Sequence, residues 1–331
     1  GPMKKGAKHL LNSTLKFLVA VLLIYWLVQS GRFDLESVQK SLSPEYLAIF
    51  LFLVFLNLSF NTIRWQEILK AFEVRFSFLE AFRLGLIGIF FNYAMPGGVG
   101  GDLVKGYYTV KKNPQQKTAA ATSVLLDRLI GLASMVSLAL ISLLLQYELI
   151  LENISLKILL VSLSGVFLAF VLLFLVGTSS RWITFIKNQK LIQKFNFKGI
   201  PFRVLDSFHI VAKDRSLLLK TFVLSALSQT CMIVLVFILA KSVFQLDISW
   251  QIVYFAVPLT MIVTALPIAP AGIGVGQVAM YSFFELMKVS QPEIGATAIT
   301  VIQIMLFAWG LLGSYYYLRM DVPATVEKTG A

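Results

Sequence analysis

Met95-Pro96-Gly97-Gly98-Val99-Gly100-Gly101-Asp102 breaks an apolar run from Leu79 to Tyr108, and Pro267-Ile268-Ala269-Pro270-Ala271-Gly272-Ile273-Gly274-Val275-Gly276 breaks a second from Ile252 to Met287. The arms on either side are about 10 to 17 residues, or about 15 to 25 Å of helix, against roughly 30 Å of bilayer hydrocarbon. Such arms suit a hairpin that enters and returns on one side; the rival is one crossing broken at its middle. Aligned without gaps, the breaks pair Pro96 with Pro270, Gly98 with Gly272, Val99 with Ile273, Gly100 with Gly274, Val104 with Val278 and Tyr107 with Tyr281, at an offset close to half the chain.

Outward from the breaks, apolar stretches near the spanning length run at Leu10 to Val28, Tyr46 to Trp65, Thr118 to Leu145, Ile154 to Val176, Leu217 to Ala240 and Ile294 to Leu318. With 57% hydrophobic and 14% charged residues, the 331-residue chain is too apolar for a soluble globular enzyme. No small-residue cleavage site follows Val28, so the first stretch reads as a retained span rather than a signal peptide. The expected fold is an all-α polytopic membrane protein of six transmembrane helices plus two re-entrant hairpins. Its order of span, span, hairpin, span occurs twice, in residues 3–150 with the hairpin at 79–110 and in residues 151–320 with the hairpin at 252–288. Gly1-Pro2 reads as an expression scar and residues 321–331 as a cytoplasmic tail.

Charge orients this plan. With both breaks re-entrant, Lys70, Arg75, Arg83, Lys105, Lys111, Lys112, Lys117 and the basic loop 179–216 fall on one side, which the positive-inside rule makes cytoplasmic together with both termini. A single crossing at the first break would put Lys111, Lys112 and Lys117 outside. The second half then begins outside where the first began inside, an inverted-topology repeat as in many transporters. The basic loop carries Val204, Leu205, Phe208, Val211 and Ala212 at helical spacing, and reads either as a helix lying on the cytoplasmic leaflet or as a solvated topogenic loop. The net charge of +12 is accounted for by this topology, and no nucleic-acid partner is expected.

Backbone at bilayer depth that is neither helix nor closed barrel must be buried in protein or line a wet cavity, so the two breaks predict a central cavity. The second arms start near Asp102 and Gln277, where free N–H groups and the positive helix end would favour an anion such as a lipid phosphate. Gly98, Gly100, Gly101, Gly272 and Gly274 are the corresponding candidates; the alternative is that they only allow tight packing. Arg128, about 16 Å of helix past Lys117, falls near the midplane and must find a carboxylate, a carbonyl or a substrate anion. It either pairs with Asp102 or holds substrate. Lys105 would add a second cation or snorkel to the interface. Asp127, turned about 100° from Arg128, and Glu285, on the second return arm, are candidates for coupling to a proton or cation, Glu285 with interfacial solvation as its alternative. Arg64-Trp65 and Tyr107-Tyr108 read as interface anchors.

One cysteine and two histidines leave no disulfide framework and no His/Cys metal site. Gly98-Val99-Gly100-Gly101-Asp102 lacks the Gly-Lys-Ser/Thr ending of a phosphate-binding loop, and no nucleophile or metalloprotease signature is present. No cofactor, metal or catalytic group is expected.

The segments Met95 to Lys105, Ser123-Val124-Leu125-Leu126-Asp127-Arg128-Leu129-Ile130-Gly131-Leu132 and Pro270-Ala271-Gly272-Ile273-Gly274 together resemble the lysylphosphatidylglycerol synthase transmembrane-region family, also called flippase-like. The resemblance covers nearly the whole chain. It departs at Lys105, where an arginine is usual, and at Gly276-Gln277, where the family often reads Arg-Glu. It implies a polytopic protein of a bacterial or archaeal cytoplasmic membrane, moving an anionic phospholipid or polyprenyl-phosphate intermediate between leaflets. The aminoacyl-transfer domain of the synthases is not expected, so neither is synthase activity. The rivals are a membrane-embedded transferase for lipid-linked substrates and a scaffold subunit without transport.

Overall fold

The structure is a computed structural model that describes residues 18, 21–22, 24–94, 100–195 and 199–319. Every regular element among the described residues is helical: α1 (Leu35–Ser41), α2 (Pro44–Ala71), α3 (Phe78–Ala94), α4 (Gly100–Lys112), α5 (Lys117–Leu144), α6 (Tyr147–Glu152), α7 (Ile154–Thr178), α8 (Ser180–Lys187), α9 (Lys190–Phe195), α10 (Ile200–Lys213), α11 (Arg215–Ser242), α12 (Trp250–Thr264), a 3-10 turn (Pro270–Gly272), α13 (Val275–Leu286) and α14 (Glu293–Arg319). Five of them, α2, α5, α7, α11 and α14, are long and apolar enough to cross a membrane. The stretch expected as a span before them, Leu10 to Val28, lies largely outside the described residues, as do the scar, the tail and Gly98. Residues 24–29 are helical, with Leu27 buried beside Ala296 of α14.

Local chemistry sets where these helices begin. Pro44 occupies the first position of α2, where its missing N–H removes a donor that has no helical partner in any case. Ser77 and Glu80 form a reciprocal capping box at α3, with Glu80 Oε2 accepting from the Ser77 N–H at 2.8 Å and Ser77 Oγ accepting from the Glu80 N–H at 3.3 Å. Asn153 caps α7 and Asp214 caps α11 through their side-chain oxygens. Lipid-facing surface is plainest on α7, whose most apolar window has a mean hydropathy of 2.9 and is only 6% buried.

Both broken regions are hairpins in space. Lys112 at the end of α4 pairs with Glu80 at the start of α3. Gln291, beyond α13, donates to the Phe244 carbonyl ahead of α12 at 3.4 Å. The 27 residues of α14 run about 40 Å from beside the second of these open ends to the first, where Arg83 of α3 lies over Tyr316. The two hairpins therefore open toward opposite ends of the molecule. Packing exchanges accordingly: α3 lies along α14 as α12 lies along α5, α4 packs on α5 as α13 packs on α14, and α2 meets α11. Glu152 and Lys288 join the turns at the second open end at 2.7 Å, and this hydrogen bond holds the exposed Glu152 carboxyl below the usual carboxylate range.

The amphipathic stretch of the basic loop forms α10. The apolar side of α10 is covered by protein, with Val211 and Ala212 fully buried and Phe208 against Gly177, and α10 packs on α5 and α7 rather than presenting that side to a leaflet. A hydrophobic stripe reports that something covers it, not what does.

Candidate functional site

The site grows from a polar face on an otherwise apolar helix. Asn57, Asn61 and Arg64 recur at helical spacing on α2 and meet Ser225 and Ser228 of α11. Asn57 Nδ2 donates to the Ser228 carbonyl at 2.9 Å and to its hydroxyl at 2.8 Å, and that hydroxyl donates to Asn61 Oδ1 at 3.0 Å. One turn on, Arg64 Nε donates to Asp127 Oδ1 at 2.8 Å and Nη1 donates to Ser225 Oγ at 2.8 Å. Gly131, one turn past Asp127, makes room for this guanidinium, since a Cβ there would lie 3.4 Å from Nη1. Lys105 Nζ completes the group at 3.5 Å from Asp127 Oδ2 and 3.9 Å from the centre of the Trp65 ring, whose Nε1 donates to Ser123 Oγ.

Beside this buried triad, Arg128 Nε pairs with Asp102 Oδ2. The two pairs differ in access: the Arg64 and Asp127 side chains are 9% and 11% exposed, those of Arg128 and Asp102 34% and 29%. All five charged groups line one cavity of about 270 Å³, far above the roughly 15 Å³ that one water needs. Three cations against two carboxylates leave it one net positive charge. Gln229 lines the same cavity, its Oε1 buried without a hydrogen-bond partner among the described residues. A second cavity of about 200 Å³ shares Asn92 and Arg128 with the first and continues past Tyr93 to Gln303 and Ala271. Arg128 thus stands between two chambers.

The glycines of the first break bring α4 against α3. Gly101 is buried and donates its N–H to Asn92 Oδ1 at 2.9 Å, and a Cβ on it would lie 2.3 Å from the Gly88 carbonyl oxygen. Gly100, also buried, opens α4. At the second break Gln277 Oε1 accepts from the N–H of Gly274, the residue that precedes α13, at 2.8 Å. Its Nε2 donates to Gln303 Oε1 at 2.7 Å and Thr300 Oγ1 at 3.0 Å, so Gln277 ties α13 to α14. Gly272, at φ +69°, presses on Thr264, where a Cβ would meet the threonine at 2.5 Å. Glu285 is exposed and belongs to neither chamber.

One expectation is corrected. Arg64 and Trp65 are interior residues, 8% and 0% exposed, not interface anchors. The physical reason is length: α2 runs on to Ala71, about 10 Å beyond Arg64. Asp127 is one carboxylate shared by two cations, Arg64 and Lys105. Asn57 and Asn61 were not singled out in the sequence; their helical spacing with Arg64 is the signal that would have pointed to the deep half of the site.

A helical chain with five spanning-length helices, an ion-paired cluster enclosed among them and a cavity upon that cluster has the build of a polytopic membrane protein with an internal polar site. The chain belongs to the family described as the lysylphosphatidylglycerol synthase TM region, whose family model matches residues 13–313. It is 23% identical over 297 residues to a UPF0104 membrane protein of Methanothermobacter thermautotrophicus, covering 84% of this chain and 86% of that protein. No solved structure matches it at a significant level. The protein is a multi-pass membrane protein of this family.

Proposed function

We propose that the protein moves an anionic lipid, a phospholipid or a polyprenyl-phosphate intermediate, between leaflets, and that it does so without catalysing a chemical step. The observation that carries this reading is the net-positive cavity whose most accessible group is the Arg128–Asp102 pair. A phosphate entering it competes with Asp102 for the planar guanidinium, which binds phosphate with two parallel N–H donors as well as it binds carboxylate. Exchange of one anion for another keeps Arg128 paired, avoiding the penalty of a bare charge at depth. Lys105, one turn along α4 from Asp102, is placed to steady the displaced carboxylate. Gln229 offers an acceptor to a headgroup hydroxyl, and the chains stay in lipid.

Support for alternating access comes from the two hairpins opening at opposite ends and from Arg128 lying on the shared wall of two chambers. The end carrying Arg75, Lys112, Lys117 and the basic loop is taken as the cytoplasmic face of a bacterial or archaeal cytoplasmic membrane, with both termini on that side. The test is purified protein in liposomes with headgroup-labelled phospholipids and polyprenyl phosphates. Leaflet exchange of at least one anionic lipid, above protein-free vesicles and lost in Arg128→Gln, is expected. No exchange of any of them overturns transport and leaves a scaffold; conversion of the lipid in the presence of a soluble donor makes the protein a transferase.

A further inference from the structure

Three helix ends meet at the open end of the α3–α4 hairpin: the first turns of α3, the last turn of α4 and the last turn of α14. Between them lies a groove of about 720 Å³. Arg83, Lys111, Lys112 and Arg319 line it together with Tyr315 and Tyr316, and Leu84 and Phe76 add apolar surface. Only Lys112 is neutralised, by Glu80. Among the described residues Arg83, Lys111 and Arg319 form no ion pair; instead they are seated on rings, Arg83 at 4.9 Å from the Tyr316 centroid, Arg319 at 4.6 Å from Tyr315 and Lys111 at 5.7 Å from Tyr107. A ring face orients a cation without cancelling its charge, so three charges remain uncompensated on one groove.

Helix-end electrostatics accounts for part of this. Lys111 and Arg319 sit where the negative end of a helix favours a cation. Arg83 does not: it is in the second turn of α3, toward the positive end. The site lies at one end of the roughly 40 Å α14, the level at which headgroups and belt tyrosines meet, and its apolar residues suit the glycerol end of a lipid rather than a fully hydrated ion.

We propose that this groove is a second lipid site, binding the phosphodiester headgroup of an anionic lipid through Arg83, Lys111 and Arg319, separate from the internal cavity and independent of whether that cavity transports. The experiment is native mass spectrometry of the detergent-purified protein titrated with dioleoyl phosphatidylglycerol, dioleoyl phosphatidylcholine and glycerol 3-phosphate. Phosphatidylglycerol should bind in preference to phosphatidylcholine, and the triple variant Arg83→Gln, Lys111→Gln, Arg319→Gln should weaken it by on the order of 100-fold. The same loss should appear when Arg128→Gln is also present, which separates this site from the internal one. Should the triple variant fail to fold, Arg319→Gln alone should show roughly a fivefold loss. Unchanged binding in the folded variants, or phosphatidylcholine bound as tightly, overturns the proposal. Displacement by glycerol 3-phosphate at equal concentration also overturns it, assigning the groove to soluble phosphate esters.

Discussion

Arg128 and Arg64 carry the same charge but stand in different environments, and the difference decides what each substitution does. Arg64 is buried against Asp127 and Ser225, so Arg64→Gln leaves a carboxylate with Lys105 alone and should destabilise the fold by about 3 kcal/mol or more. Arg128 and Asp102 are about a third exposed, so water softens the loss, and Arg128→Gln should cost about 1 to 2 kcal/mol. Adding Asp102→Asn removes the stranded carboxylate and should restore most of the melting temperature. Lipid exchange should stay lost in that double variant, because recovered stability does not return a guanidinium to the cavity. Thermal melts and liposome exchange on the same preparations separate the two effects. Full exchange by Arg128→Gln at unchanged melting temperature would remove Arg128 from both roles.

At the scale of the element, close approach of backbones sets how two helices can cross. A Cβ on Gly313 of α14 would lie 2.1 Å from the Leu86 carbonyl oxygen of α3, whereas one on Gly106 of α4 would meet nothing within 4 Å. Gly313→Ala should therefore force the α3–α14 crossing apart and cost about 1 to 3 kcal/mol. Gly106→Ala should be neutral or stabilise by up to about 1 kcal/mol through helix propensity. Melting both variants in detergent checks the contrast, and equal behaviour would show that the crossing is not tight. In the sequence the two glycines look alike, because each is the third glycine of its helix, Gly313 after Gly295 and Gly310 and Gly106 after Gly100 and Gly101. The breaks at Pro96 and Pro270 were legible because proline and glycine interrupt helices through local sterics. The cover over α10 and the depth of Arg64 were not, since both depend on what packs alongside and on how far α2 continues.

For the whole molecule, the decisive quantity is the number of times the chain changes sides. Glu80 meets Lys112 across the first hairpin, and Phe244 meets Gln291 across the second, so neither broken region carries the chain from one end to the other. The long helices between them do: α5, α7 and α11 are each 25 to 28 residues, about 37 to 42 Å, enough to traverse a bilayer. Three such passages leave the two hairpins opening toward opposite ends of the molecule. Residues flanking one hairpin must then share a side, and the two sets must differ. Arg75, Gln115, Asp247 and Ser290 are exposed and bracket the hairpins, so each can carry a single cysteine in a Cys231→Ser background. Impermeant maleimide added to intact cells should label Asp247→Cys and Ser290→Cys, while Arg75→Cys and Gln115→Cys should react only after lysis. Labelling that splits Arg75 from Gln115, or Asp247 from Ser290, would make that region a crossing and take away the paired hairpins on which the two-sided cavity rests. Reversal of all four would keep the hairpins and place the basic end, with the lipid groove at Arg83 and Arg319, on the outer face.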